Sequence, residues 1–171
     1  MHSVALWLRG CAFTILVPFV VGVWIPWRVL GPNHPAPGWW QTGWLPLGAG
    51  IALYLWCLAL FLASGGTPAV FFTRRLRFLI GSEPETLVRR GPYGFSRNPM
   101  YVAVLAAIFG QALLFRSAAV LEYGIAMLVV FHAVIVLLEE PHLRRTRGPE
   151  YERYLRTVPR WLGPARRRAT G

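Results

Sequence analysis

The sequence predicts an all-α integral membrane protein with about four transmembrane helices, followed by a C-terminal amphipathic cytoplasmic helix. Three observations carry this reading. Four apolar runs reach or approach the roughly 20 residues that span a bilayer. Hydrophobic residues make up 55% of the chain, mean hydropathy is +0.44 and there are eight Trp, a composition that suits a bilayer with interfacial aromatic belts rather than a soluble globule. The basic residues, all Arg, gather in the segments between and after the apolar runs.

The first run is Val4 to Trp27, with Pro18 as an expected kink. Arg9 interrupts its start and no small-residue cleavage site follows, so it reads as a retained helix rather than a signal peptide. The second run is Trp44 to Ala63, stopped by Gly65-Gly66-Thr67-Pro68. The third, Pro99 to Phe115, is short. Asn98 is a good N-cap for it and Pro99 suits its first helical position. The fourth is Ala118 to Leu138, with Ser117 as its N-cap and Glu139-Glu140-Pro141 at its end. Beyond it, Tyr151, Tyr154, Leu155 and Val158 recur at helical spacing, with Glu152, Arg153 and Arg156 on other faces. The chain reads as a single membrane domain over residues 1–171, with an N-terminal helical hairpin in 1–64 and a functional core in 84–162.

A net charge of +11 would suggest nucleic acid in a soluble protein. Here the charges flank apolar runs and no nucleic-acid motif is present, so membrane lipids with anionic head groups are the expected partners. Arg74, Arg75, Arg77, Arg89, Arg90 and Arg97 lie between the second and third runs, and nine further Arg lie in the tail. The other two loops hold only Arg28 and Arg116. The positive-inside rule then puts the middle loop and the tail in the cytoplasm, in a bacterial-type inner membrane. The third and fourth runs become an antiparallel hairpin, and Arg97–Tyr101 converges with Glu139 and Glu140 on the cytoplasmic side. Cys11 and Cys57 lie in apolar runs without metal-ligand spacing and read as packing residues. His132 and Gln111 read as structural groups bonded to neighbouring helices, His34 as solvated, and His142 either as an accessory contact near the site or as solvated. Ala106 and Gly110 are a small-xxx-small pair suited to close helix contact. The His and Glu positions form no metal-ligand set.

Two ordered blocks stand out: Gly91-Pro92-Tyr93-Gly94-Phe95-Ser96-Arg97-Asn98-Pro99-Met100-Tyr101, and Glu139 through Leu162. With the apolar span between them they resemble the isoprenylcysteine carboxyl methyltransferase and phospholipid methyltransferase family of membrane enzymes, over about half the chain. Many members carry His where this chain has Asn98. The resemblance implies S-adenosylmethionine (SAM) as cofactor and a lipophilic or lipid acceptor, a prenylcysteine-like carboxylate being favoured over a phospholipid amine. It also implies that Thr86, Leu87, Val88 and Tyr93 belong to a cofactor-contacting run. Asn98, Pro99, Met100 and Tyr101 form the central cofactor motif by the same likeness, and Glu140 the acidic cofactor ligand.

The charge pattern agrees. Glu139 and Glu140 suit a cation, or alternatively an interfacial pair neutralised by Arg144 or Arg145. Arg97, or the helix start at Asn98 to Tyr101, suits the cofactor carboxylate. Glu139, Arg144 and Arg160 are the candidate catalytic residues, Glu139 as a base for an amine and the arginines as anchors for an acidic group. Two other classes fit parts of the sequence: an NADPH-dependent reductase of the sterol-reductase type, and a non-enzymatic lipid-binding membrane protein.

Overall fold

The structure, a computed structural model, describes residues 8, 12, 15–30, 35–66 and 87–163. Among the described residues it is all-helical. Helix α1 spans Ile15–Leu30, and a 3-10 turn, Gly38–Gly43, leads into α2, Trp44–Ala63. Helix α3 is Pro99–Phe115 and α4 is Ala118–Val134. A π turn, Ile135–Glu139, carries α4 directly into α5, Glu140–Thr157. The stretches Gly38–Ala63 and Ala118–Thr157 are long and apolar enough to cross a membrane, and Pro18–Leu30 and Pro99–Phe115 are shorter apolar helices.

Helices α2 and α3 form the tightest pair, because small residues let their backbones touch. A Cβ built on Gly43 would sit 2.5 Å from the Gly110 carbonyl oxygen, and one on Gly50 2.5 Å from that of Ala103. Leu47, Ala107 and Leu114 fill the middle of this seam, and Tyr54, Leu58, Leu62 and Ala103 the end nearer Pro99. The small-residue contact expected of Ala106 and Gly110 is formed: Gly110 lies against Gly43 and Leu47, and Ala106 against Gly50, where a Cβ would meet the Ala106 methyl at 3.3 Å, with Ala103 and Ala107 beside it. The αL residue Arg116 (φ 49°) turns α3 back into α4, and Ser117 caps α4 by accepting the Val120 N–H.

Helix α1 contains Pro18 and Pro26 and winds as a wide π-type helix. Pro26 has no N–H, so the carbonyls four and five residues earlier, on Gly22 and Val21, are short of an intrahelical partner. Two tertiary donors replace it. Gln111 Nε2, fully buried on α3, donates to the Gly22 carbonyl at 2.7 Å, and the Tyr123 hydroxyl on α4 donates to that of Val21 at 3.0 Å. Gln111 is thus bonded to a neighbouring helix, as its sequence position predicts. Gln111→Leu should destabilise the fold by about 1–2 kcal/mol, because it leaves a buried carbonyl without a donor. Chemical unfolding in detergent measures this. Tyr123→Phe, which removes the other donor, should add to the loss.

One expectation is corrected here. Pro141 was expected to mark the end of the helix, yet the helix runs through it. The turn before it widens, with the Glu140 N–H bonded to the Ile135 carbonyl, so Pro141 enters at the first turn of α5, where its missing N–H costs little. The break falls instead at Gly148 (φ 48°, ψ −128°), before Pro149. Tyr151, Tyr154 and Val158 are buried together beyond it, with Leu87, Leu143 and Leu155 packed against them.

Candidate active site

The loop before α3 and the strap after α5 are bolted together. Gly91–Gly94 makes a 3-10 turn, and the Tyr154 hydroxyl donates to the Tyr93 carbonyl at 2.7 Å. The Arg97 N–H donates to the Pro159 carbonyl at 2.9 Å. Asn98 Nδ2 and Ser96 Oγ both donate to the Arg160 carbonyl, at 3.0 and 3.3 Å. This corrects the expected capping role of Asn98. It occupies the N-cap position of α3, but its side chain caps nothing. A carbonyl in an irregular segment has no helical donor, and Asn98 supplies one across the structure. Ser96 Oγ instead accepts the Asn98 N–H at 3.0 Å in a local turn.

The strap and the loop meet on one carboxylate. Arg160 grips Glu140 with two hydrogen bonds, Nε to Oε1 at 2.7 Å and Nη2 to Oε2 at 3.1 Å. Arg97 Nη1 adds a third, to Oε1 at 3.0 Å. The Arg97 and Glu140 side chains are only 10% and 9% exposed, so this is a largely dehydrated cluster. Burial pushes the Glu140 carboxyl up, but the Arg160 hydrogen bonds and the charges of Arg97, Arg160 and Arg144 outweigh it and hold the group below its usual range. Two guanidiniums and one carboxylate sum to one positive charge. Arg97 Nε is buried without a hydrogen-bond acceptor. The cluster therefore has both the charge and an unused donor for an incoming carboxylate. Beside it, the Tyr101 hydroxyl donates to Glu139 Oε1, and the Tyr101 ring packs on Phe131 at 4.9 Å between centroids. The π turn places successive carboxylates on different partners, Glu139 on α3 and Glu140 on the loop and strap.

The structure brings Arg97, Asn98, Tyr101, Glu139, Glu140 and Arg160 together. It does not gather every predicted residue. Arg144 lies outside the cluster, exposed, with Nε 3.3 Å from Glu152, and Arg145 Nε donates to the Pro141 carbonyl. The expected neutralisation of the Glu pair by Arg144 or Arg145 is thus corrected: Arg97 and Arg160 make the ion pairs with Glu140, Arg144 acts on it only through its charge, and Glu139 is held by the Tyr101 hydroxyl instead. Met100 packs against the Tyr54, Leu58 and Leu62 cluster, Pro99 is buried at the first turn, and Leu87 packs on Tyr151 and Tyr154. Tyr93 is buried, its ring edge-on to Phe61 at 5.6 Å. Val88 is half-buried, and Thr86 lies outside the described residues. His132 meets Trp161 of the strap, Nε1 to Nδ1 at 3.3 Å, rather than a neighbouring helix. Ser96, 1% exposed, had no role assigned from sequence. A Ser two residues before an N-cap is the signature of the turn it makes.

Fold and site together define a helical membrane protein whose charged site forms where an antiparallel hairpin runs into the helix that follows it. The chain belongs to the phospholipid methyltransferase family, whose model matches residues 47–149, more than half of the chain. The match includes Arg97, Tyr101, Glu139 and Glu140 and stops short of Arg160. Over 82 residues the chain is also 29% identical to the cobalt-zinc-cadmium resistance protein CzcN of Cupriavidus metallidurans. That similarity covers 48% of this chain and 38% of the relative, so the chain spans well under half of that protein's length. No solved structure matches. Among the described residues, no group of three or more His, Cys, Asp or Glu is placed to hold a metal ion.

Proposed function

We propose that this membrane methyltransferase takes SAM as its cofactor, in a site at the cytoplasmic membrane interface, and methylates a lipophilic acceptor, with a prenylcysteine-like carboxylate favoured. The observation that carries this is the Arg97–Glu140–Arg160 cluster, with its surplus positive charge and the unused side-chain Nε–H of Arg97. Arg97 would take the cofactor carboxylate, while Glu139, on Tyr101, offers negative charge to the ammonium or sulfonium. When bound, SAM supplies a methyl group on a sulfonium, ready for in-line displacement. The chain's own residues align the partners and exclude water, which strengthens each charge interaction. A carboxylate acceptor needs no base, only a cation such as Arg160 to orient it. With this reading we propose a four-span topology that puts the Arg-rich loop and the tail in the cytoplasm, with the residues beyond Gly148 forming an amphipathic helix at the membrane surface; the two long apolar stretches and the two shorter apolar helices are consistent with it.

A second reading has one observation in its favour. Glu139 sits on a hydroxyl at the edge of the cluster, where it can accept a proton from an ammonium acceptor, as a phospholipid amine requires. Calorimetry on detergent-purified protein tests the cofactor, with NADPH in a parallel cell. Saturable SAM binding is expected, and NADPH binding alone would overturn it. Incubation with methyl-labelled SAM and two acceptors, a prenylcysteine analogue and phosphatidylethanolamine, separates the substrates. A base-labile methyl ester on the first is the expected product, and label confined to the second would establish the amine reading.

A further inference from the structure

In the cluster the two guanidiniums reach Glu140 by different routes. Arg97 is two residues before α3, next to its N-cap position. Arg160 lies beyond the end of α5, in an irregular strap whose path no helix sets. Yet Arg160 makes the two-pronged grip, which needs its backbone held closely, because a planar fork tolerates little displacement. The restraint is visible in the carbonyls of Pro159 and Arg160. They receive three donors, the Arg97 N–H at 2.9 Å, Asn98 Nδ2 at 3.0 Å and Ser96 Oγ at 3.3 Å. All three come from consecutive residues, 96–98, and the last of these gives up a helix cap to make its bond.

We infer that Asn98 and Ser96 are positioning residues that hold the Arg160 main chain and so set its guanidinium in the site, and that Asn98 acts through Arg160 rather than by touching the cofactor. This rests on the reading of the cluster as the methyl-transfer site. It changes the role of Asn98, which the sequence motif assigns to direct cofactor contact. One of its two Nδ2 hydrogens is committed to the strap. Any side chain at 98 that cannot donate leaves the Arg160 carbonyl to Ser96 alone and loosens the grip on Glu140.

Two measurements on the full-length protein in lipid-supplemented detergent test this. The first is hydrogen–deuterium exchange over residues 158–163, without added cofactor. Asn98→Leu, close in size and unable to donate, should speed exchange there by about tenfold, the scale of one lost buried hydrogen bond. Asn98→His, whose ring N–H can reach the same carbonyl, should restore much of the protection. Unchanged exchange in Asn98→Leu overturns the proposal, whether or not the protein binds SAM. If Asn98→Leu instead loosens all of α3, Ser96→Ala decides, since faster exchange confined to 158–163 supports the clamp and none overturns it. The second measurement is a double-mutant cycle on turnover. The losses from Asn98→Leu and Arg160→Lys should be strongly non-additive, with the KM for SAM little changed in the first. Losses that multiply, or a defect confined to that KM, would place Asn98 on the cofactor and overturn the inference. A wild-type protein that binds no SAM refutes the methyltransferase site but leaves the exchange result standing.

Discussion

Glu140→Gln should disable the protein more thoroughly than any other single change in the site. The substitution keeps size and shape but removes the charge that holds Arg97 and Arg160 together. Arg97 is 10% exposed and Arg160 32%, so two guanidiniums are left facing each other with partial access to water. Breaking a buried ion pair from one side costs about 3–5 kcal/mol, and the lower end applies here because Arg160 can turn outward. Three observables should move together. The midpoint of chemical unfolding should fall by about 3 kcal/mol of stability. SAM affinity should drop about tenfold or more, the equivalent of 1.4 kcal/mol. Turnover should become undetectable as Arg160 leaves its place. Glu140→Asp keeps the charge and shortens the reach, so it should retain the Arg97 contact, lose the two-pronged grip and fall between the two. Full activity in Glu140→Gln would show that the cluster is only a structural tie.

The same cluster dictates an acid limit. Glu140 titrates below its ordinary value of 4.5 because its guanidinium partners outweigh the effect of burial. A carboxyl with a depressed folded value contributes stability that is complete above the unfolded value and is lost as pH falls through the folded one. The wild type should therefore be indifferent to pH from neutrality down to about 4.5 as far as this group is concerned, and then lose stability progressively. Unfolding midpoints across that range measure the loss, and Glu140→Gln should remove the part of the slope that belongs to this residue.

Much of this arrangement can be read from local pattern. The second and third apolar runs begin and end where Trp44, Ala63, Pro99 and Phe115 lie in the structure, because Gly43, Gly65 and Pro99 punctuate them, Arg116-Ser117 closes the third, and Gln111 apart their interiors are almost wholly apolar. Ser117 caps as a Ser before a helix should. The meeting of Arg97 and Tyr101 with Glu139 and Glu140 follows from hairpin topology alone. What the pattern does not contain is the partner of each long side chain. Arg144, four residues after Glu140, is the helical neighbour by spacing, yet it takes Glu152, because Arg160 arrives from a strap whose course depends on tertiary hydrogen bonds. Asn98 shows the same override, with a distant carbonyl outcompeting the local cap. Pro141 was legible as a helix stop only under α geometry, and a π turn removes that constraint. The Arg74, Arg75 and Arg77 stretch and Thr86 lie outside the described residues, so their expected roles are neither added nor removed.

The second large effect belongs to the α2–α3 seam and turns on two glycines two residues apart. Gly50 faces α3: a Cβ there would come 2.5 Å from the Ala103 carbonyl oxygen and 2.9 Å from the Ala107 nitrogen, both backbone atoms that cannot swing aside. Gly48 faces outward, and a Cβ would meet nothing within 4 Å. Adding the same methyl group should therefore have opposite signs. Gly48→Ala should be neutral or stabilising by up to about 1 kcal/mol, since it removes the entropic cost of glycine in a helix. Gly50→Ala must push the helices apart, at about 1–3 kcal/mol, and Gly50→Val by more. The damage should also reach the site. Ala103 is one turn beyond Pro99, so displacing α3 there moves Tyr101 away from Glu139 and shifts the loop that carries Arg97. Turnover of Gly50→Ala should fall further than its loss of stability explains, while Gly48→Ala keeps wild-type turnover. Unfolding midpoints and methyl-transfer rates on the pair of variants provide the test. Equal behaviour of the two would mean that α2 and α3 do not touch through backbone at Gly50, and that the site does not take its alignment from this seam.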